Sequence, residues 1–324
     1  MAQHDLLSLT QTELVLANPP LETADPPVPH AHTLSVTREL AVADGRGAQL
    51  VLCTIDPKEP PGTAPFQAAA KIYDPLYYSF PHQDVPSVPC DVTRLADEDY
   101  SREAAAYEHL QAIGQAGSFA PQYFGSWTFT ACLQSHTKGE TTPPQSRPVR
   151  LILIEYIAGP SIRELCAGPS PVPAAALDEA YRLEVLARIM DAEAMLRFKG
   201  LNQRDLAARN VILHNAPPIN PHDQTAVQPS TIPRIVLIDY NISVIESRRT
   251  DKIEPPPCDG TTTLPLNPML IYWNNSLQEF RGWIPLAFQT NPRWRREWLR
   301  ERFGGENLPK YALLKKELVY GGYY

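Results

Sequence analysis

The chain has no apolar run approaching the roughly 18 residues that a membrane-crossing helix needs. Its first stretch, MAQHDLLSLTQTELVLANPP, does not set basic residues ahead of a long apolar segment, so no secretory signal is expected. Cysteine is sparse. The five residues Cys53, Cys90, Cys132, Cys166 and Cys258 are odd in number and never spaced C-x-x-C, which argues against a disulfide framework and against a zinc site. An intracellular setting, cytoplasmic or nuclear, is the expectation. Positive charge is also in deficit, with 29 Lys and Arg against 36 Asp and Glu and a net charge of -7. No field of that sign draws a chain to nucleic acid or to an anionic membrane, and neither is expected as a partner. Internal repeats are absent as well.

Proline is abundant instead, with 34 residues in 324, about twice the usual share. Proline-rich polar stretches at 18–29, 57–65, 135–148, 169–173, 216–233 and 254–257 cut the chain into short periodic blocks. In the first half these read as strands. Segments 33–42 and 48–55 flank an Asp-Gly-Arg-Gly turn and suit a hairpin, and 66–73, 122–130 and 150–157 supply further strands. One helix interrupts them over 98–113, with Tyr100, Tyr107 and Leu110 at helical spacing. A longer helix is expected over 174–199, ending at Gly200. The pattern predicts an α+β protein of two lobes: a flexible segment 1–32, a strand-rich N-lobe 33–155 with one helix, and a mainly helical, shortened C-lobe 156–324.

Four segments carry chemistry. Residues 196–213, LRFKGLNQRDLAARNVIL, pass from a helix stopped by glycine into a polar loop bracketed by apolar residues. An Asp and an Asn five positions apart on such a loop suit phosphoryl transfer, which needs a carboxylate beside an acceptor hydroxyl and oxygen donors around a cation. Residues 234–244, RIVLIDYNISV, deliver Asp239 to the end of an apolar strand. Lys71 lies in AAAKIYD, an otherwise apolar strand. In SREAAAYEHL, Tyr100, Glu103, Tyr107 and Leu110 step by three, four and three, so Glu103 rather than Glu108 falls on the apolar face and needs a cation. Taken singly, each has an ordinary structural reading: a polar turn, a strand-ending aspartate, a snorkelling lysine.

In their order along the chain the segments resemble the protein-kinase superfamily. Arg204, Asp205, Leu206 and Asn210 match the H-R-D-L-x-x-x-N catalytic loop, with Gln203 in place of histidine, and Asp239, Tyr240 and Asn241 match D-F-G. Segment 151–165, LILIEYIAGPSIREL, looks like the hinge between kinase lobes, and Gly45 and Gly47 give a partial glycine-rich loop. The resemblance implies a two-lobed protein-kinase-like fold and an ATP- and Mg2+-dependent transfer of the γ-phosphate to a hydroxyl acceptor, protein or small molecule, by a monomer. By the same resemblance Asp205 and Arg209 are catalytic. Gly45, Gly47, Lys71, Glu103 and the backbone of Glu155 and Ile157 bind ATP, and Asn210 and Asp239 hold the metal. Asn241 stands where glycine is usual, and asparagine tolerates positive φ better than most residues. After Asn241 the likeness fades, with no A-P-E and no recognisable activation segment. Two alternatives therefore stay open: a pseudokinase, and a small-molecule kinase of the aminoglycoside or choline type. The chain is similar to divergent kinase-like proteins of filamentous fungi. Near its end, residues 291–303 read as an amphipathic helix packing Trp294 and Trp298 inward and solvating its arginines.

Overall fold

The computed structural model describes residues 14–15, 32–57, 64–82, 84–133, 145–168, 172–216, 219, 231–248 and 263–312. The protein is α+β, and its chain divides into two units: Met1–Glu108 with Pro121–Tyr156, and His109–Ala120 with Ile157–Tyr324. Of the inserts, 135–144 and 220–230 lie outside the described residues. No helix among the described residues is long and apolar enough to cross a membrane.

In the first unit the strands are β1 (Leu14–Val15), β2 (His32–Ala41), β3 (Gln49–Pro57) and β4 (Phe66–Tyr73). Helix α1 (Val92–Ala112) follows, then β5 (Tyr123–Leu133) and β6 (Gln145–Glu155). They form one sheet in the order β1-β2-β3-β4-β6-β5, antiparallel throughout. Alternation along the strands builds its core. Every second residue, such as Val51, Cys53 and Ile55 on β3, Ala68, Ala70 and Ile72 on β4, and Val149, Leu151 and Leu153 on β6, joins a single buried cluster. The intervening residues Ala69, Lys71 and Tyr73 therefore take the other face, where Tyr73 meets Tyr100 of α1 edge to face. Strand β6 begins earlier than the expected 150 and runs through Pro148. That residue pairs with Thr130 of β5, beyond the point at which β4 stops, so its missing N–H breaks no ladder. Helix α1 likewise begins six residues before the expected 98, because the Asp91 carboxylate accepts the Arg94 N–H and caps it.

The second unit is helical around two small sheets. Helix α2 (Ile162–Leu165) opens with a capping box between Ser161 and Glu164. Helix α3 (Glu179–Phe198) is buried on nearly all sides, through Leu186, Ile189, Met190 and Leu196 among others. It does not start at 174 as expected: Pro173–Ala176 is a separate 3-10 turn, and the Asp178 side chain caps α3 at the Ala180 N–H. It ends as expected, with Gly200 at φ +86°. Four short strands follow: β7 (Leu201–Asn202), β8 (Val211–His214), β9 (Arg234–Leu237) and β10 (Val244–Ile245). Strand β8 pairs with β9 and β7 with β10, both antiparallel. The unit closes with α4 (Pro268–Tyr272), α5 (Leu286–Thr290) and α6 (Pro292–Phe303).

The expected packing of α6 is partly reversed. Trp294 is 55% exposed, whereas Arg295 is 4% exposed and donates to the Phe288 and Trp273 carbonyls. Arg296 and Arg300 stack on the Trp273 ring, and only Trp298 packs inward, against Phe288 and Phe303. Guanidinium planes cover aromatic faces well, so arginine takes the inward positions that an apolar count assigned to tryptophan.

Candidate functional site

On the first unit the two-residue alternation that puts Ala70 and Ile72 in the core turns Lys71 and Tyr73 toward α1. There the Lys71 ammonium lies 2.5 Å from a carboxylate oxygen of Glu103, and the Tyr73 hydroxyl donates to the same oxygen at 2.6 Å. Glu103 is 1% and Lys71 15% exposed. A buried carboxylate is tolerated only when it is paired and hydrogen-bonded, and both conditions are met here. Tyr73 is a member of this cluster that the sequence pattern did not single out; its position two residues after Lys71 on one strand was the available signal.

The glycine hairpin is held differently from what the resemblance implied. Gly45 and Gly47 both have positive φ, +72° and +90°, as a tight turn demands. The buried Gln49 side chain binds Ala43 N–H, Ala43 C=O and Gly47 C=O from beneath. The Gly47 N–H donates to the Tyr77 carbonyl at 3.0 Å, and Arg46 bridges to Tyr78. A Cβ on Gly47 would come within 3.4 Å of the Tyr78 ring. Burial, reinforced by the Asp74 and Asp44 carboxylates, pushes the Tyr77 phenol up to about 12. The Gly47 amide is thus committed within the protein. At Glu155, whose backbone the resemblance gave to ATP, the N–H is likewise committed, to the Gln122 carbonyl at 2.8 Å. Ile157, by contrast, hydrogen-bonds through neither its N–H nor its C=O among the described residues.

On the second unit the catalytic-loop candidates converge. Asn210 directly precedes β8, and Val211 pairs with Leu237 of β9. Continuing that antiparallel register brings the Ile238 N–H onto the Asn210 carbonyl at 3.0 Å, so Asn210 and Asp239 stand at the same end of one two-stranded ladder. The Asn210 amide donates to the Asp205 carbonyl and to one carboxylate oxygen of Asp205, at 2.9 and 2.8 Å. Arg209 donates to the other carboxylate oxygen at 2.6 Å and to Glu279 at 3.2 Å. Burial opposes the Arg209 charge, but the Asp205 and Glu279 carboxylates outweigh it and raise its pKa above the ordinary value. Gln203, where the resembled loop has histidine, is buried and donates to the Ile238 carbonyl at 2.6 Å, tying the loop to the strand that carries Asp239.

Backbone strain marks the same place. Arg204 and Asp239 have φ of +67° and +65°, while Asn241, where positive φ was anticipated, does not. The left-handed turn falls on the aspartate itself. Such conformations cost on the order of 1–3 kcal/mol and tend to persist at functional sites.

The donor set fits a hard cation. The Asn210 NH2 is engaged by Asp205, which leaves its side-chain oxygen as the donor to a cation, and an amide oxygen and the Asp239 carboxylate are the kinds of oxygen ligand that Mg2+ prefers. Among the described residues no group of three or more His, Cys, Asp or Glu stands together as a metal site. One amide and one carboxylate are a smaller set, to be completed by water and phosphate. For the triphosphate the fit is partial: Lys71 suits it, and the Gly47 amide is taken.

No protein-family model matches this chain, and no curated protein matches its sequence.

Proposed function

We propose that the chain is an ATP- and Mg2+-dependent phosphotransferase of the protein-kinase class, on a two-lobed kinase-like fold. The observation that carries this reading is the loop of the second unit, where the Asp205 carboxylate is steadied by Arg209 and Asn210 while Asn210 and Asp239 share the end of one strand pair. Phosphoryl transfer asks little covalent chemistry of a protein and much positioning. Both Asp205 oxygens already accept a hydrogen bond, but each keeps a second lone pair for an acceptor hydroxyl. Asp205 orients that hydroxyl and takes its proton, and Arg209 holds the carboxylate in one rotamer. Lys71, set by Glu103, binds phosphate oxygens. On the second unit, Asn210 and Asp239 would hold Mg2+, which would supply positive charge to phosphate oxygens as charge moves to the leaving group.

A second reading is favoured by the hairpin. The Gly47 amide, bound to Tyr77, is not free to wrap a phosphate, which suits a module that binds nucleotide without turnover. Calorimetric titration with Mg-ATP tests what the two readings share. Wild type should bind, Lys71→Met should weaken binding about tenfold or more, as the loss of one charge-assisted contact implies, and Asp239→Asn should remove its Mg2+ dependence. Absence of any binding by the wild type would refute both.

A further inference from the structure

A cavity of about 500 Å3 opens in the second unit beside the loop, within the range of small-molecule sites. Its lining is mixed: Leu206, Leu270 and Ile271 form an apolar side that is still partly exposed, with Phe280 behind them, and much of the rest is polar, with Asn202, Asn275 and charged side chains. Most of the charge around it is internally matched. Arg197 pairs with the buried Glu193 at 2.6 Å, the Tyr272 hydroxyl donates to the same carboxylate, and Glu279 pairs with Arg209. Glu246 has an interaction of its own. Arg204 is different. It lines the cavity, its side chain makes no ion pair or hydrogen bond among the described residues, and its backbone is held at φ +67°. Arginine has no intrinsic preference for that conformation, and this strained, exposed residue is one of those lining the cavity.

We infer that this cavity is a binding site for a small organic acid with an apolar body, its carboxylate on Arg204 and its body against Leu206, Leu270, Ile271 and Phe280. A guanidinium matches a carboxylate with two parallel hydrogen bonds, and the apolar wall gains by losing water. A bare inorganic anion would leave the apolar side wet. The site does not rest on the transfer reading, since it requires neither nucleotide nor turnover.

Three probes with one body separate the contributions: 3-phenylpropionate, 3-phenylpropanamide and 3-phenylpropylamine, titrated into the whole chain without nucleotide, with inorganic phosphate as a fourth arm. The acid should bind one to one, and the amide roughly tenfold weaker, the factor one charge-assisted hydrogen bond supplies. The amine and phosphate should not bind. Arg204→Gln should bring the acid to the level of the amide, and Leu270→Trp, which fills the chamber, should abolish both, with each variant's unfolding temperature reported alongside. If Leu270→Trp fails to fold, Arg204→Gln still decides, because its side chain is on the rim. Equal binding of acid and amide, tighter binding of the amine, indifference to Arg204→Gln, or no binding of the acid would each overturn the assignment.

Discussion

Glu103 shows how much one buried charge depends on its surroundings. Its carboxylate is out of water, and Lys71 and Tyr73 both bond one of its oxygens. Removing the ammonium takes the opposite charge away from a buried carboxylate, so Lys71→Met should destabilise the protein by about 3–5 kcal/mol. Glu103→Leu added to it should recover part of that loss, because the stranded charge is then gone. Urea unfolding of the single and double variants measures both, and a single variant within 1 kcal/mol of wild type, about the worth of an exposed pair, would mean that the pair is effectively solvated. The Glu103 assignment was legible in the sequence, because helical spacing alone separates it from Glu108. Gln203 was not. Its side chain reaches the Ile238 carbonyl, and a hydrogen bond between residues so far apart in the chain leaves no local pattern. The occupied N–H groups of Gly47 and Glu155 were hidden for the same reason: backbone partners are chosen by tertiary packing, not by residue type.

Strands declared themselves more fully than helix ends. β4 occupies the expected 66–73, an apolar run bounded by Pro65 and Pro75. The starts of α1 and α3 differ from expectation by several residues, because Asp91 and Asp178 act as caps, and an aspartate in a proline-rich stretch looks equally like a turn. One connection is unusually constrained. The chain after β6 runs back along β8, with Leu213 N–H on the Pro160 carbonyl and Asn215 N–H on the Ala158 carbonyl. Gly159, at φ +147°, lies so close that a Cβ would sit 2.1 Å from the Leu213 carbonyl oxygen. Gly159→Ala should therefore cost about 2–4 kcal/mol through strain and overpacking, read as a drop in the denaturant midpoint; an unchanged midpoint would show that this stretch is loosely packed.

α3 also carries a titrating group. Burial raises the Asp191 pKa above its ordinary 3.8, although the Tyr311 hydroxyl and Arg302 act against the rise. A raised native pKa means that the folded state holds the proton more tightly. The stability Asp191 contributes is thus fully present below pH 3.8 and is lost as pH rises through the native value. Relative to Asp191→Asn, wild type should be most stable in acid and lose ground across that window in a pH series of thermal unfolding curves. A constant difference between the two would contradict the assignment.

For the molecule as a whole, the α+β class and the division into a sheet-rich and a helical unit followed from where alternation gives way to helical spacing. The chemical reading followed from four motifs in one order. The tail after Asn241 was hardest to read, because Arg295, Arg296 and Arg300 are used there for packing, and a pattern that counts arginine as polar misses their role. The central claim, that Asp205 serves phosphoryl transfer, is tested most directly by labelled-ATP turnover of wild type and Asp205→Asn with protein and small alcohol acceptors. The account predicts transfer by the wild type and a loss of roughly 10^2–10^4-fold in the variant, the span of general acid–base contributions, at equal folded fraction. Equal rates in the two proteins, or no transfer by either, would contradict it.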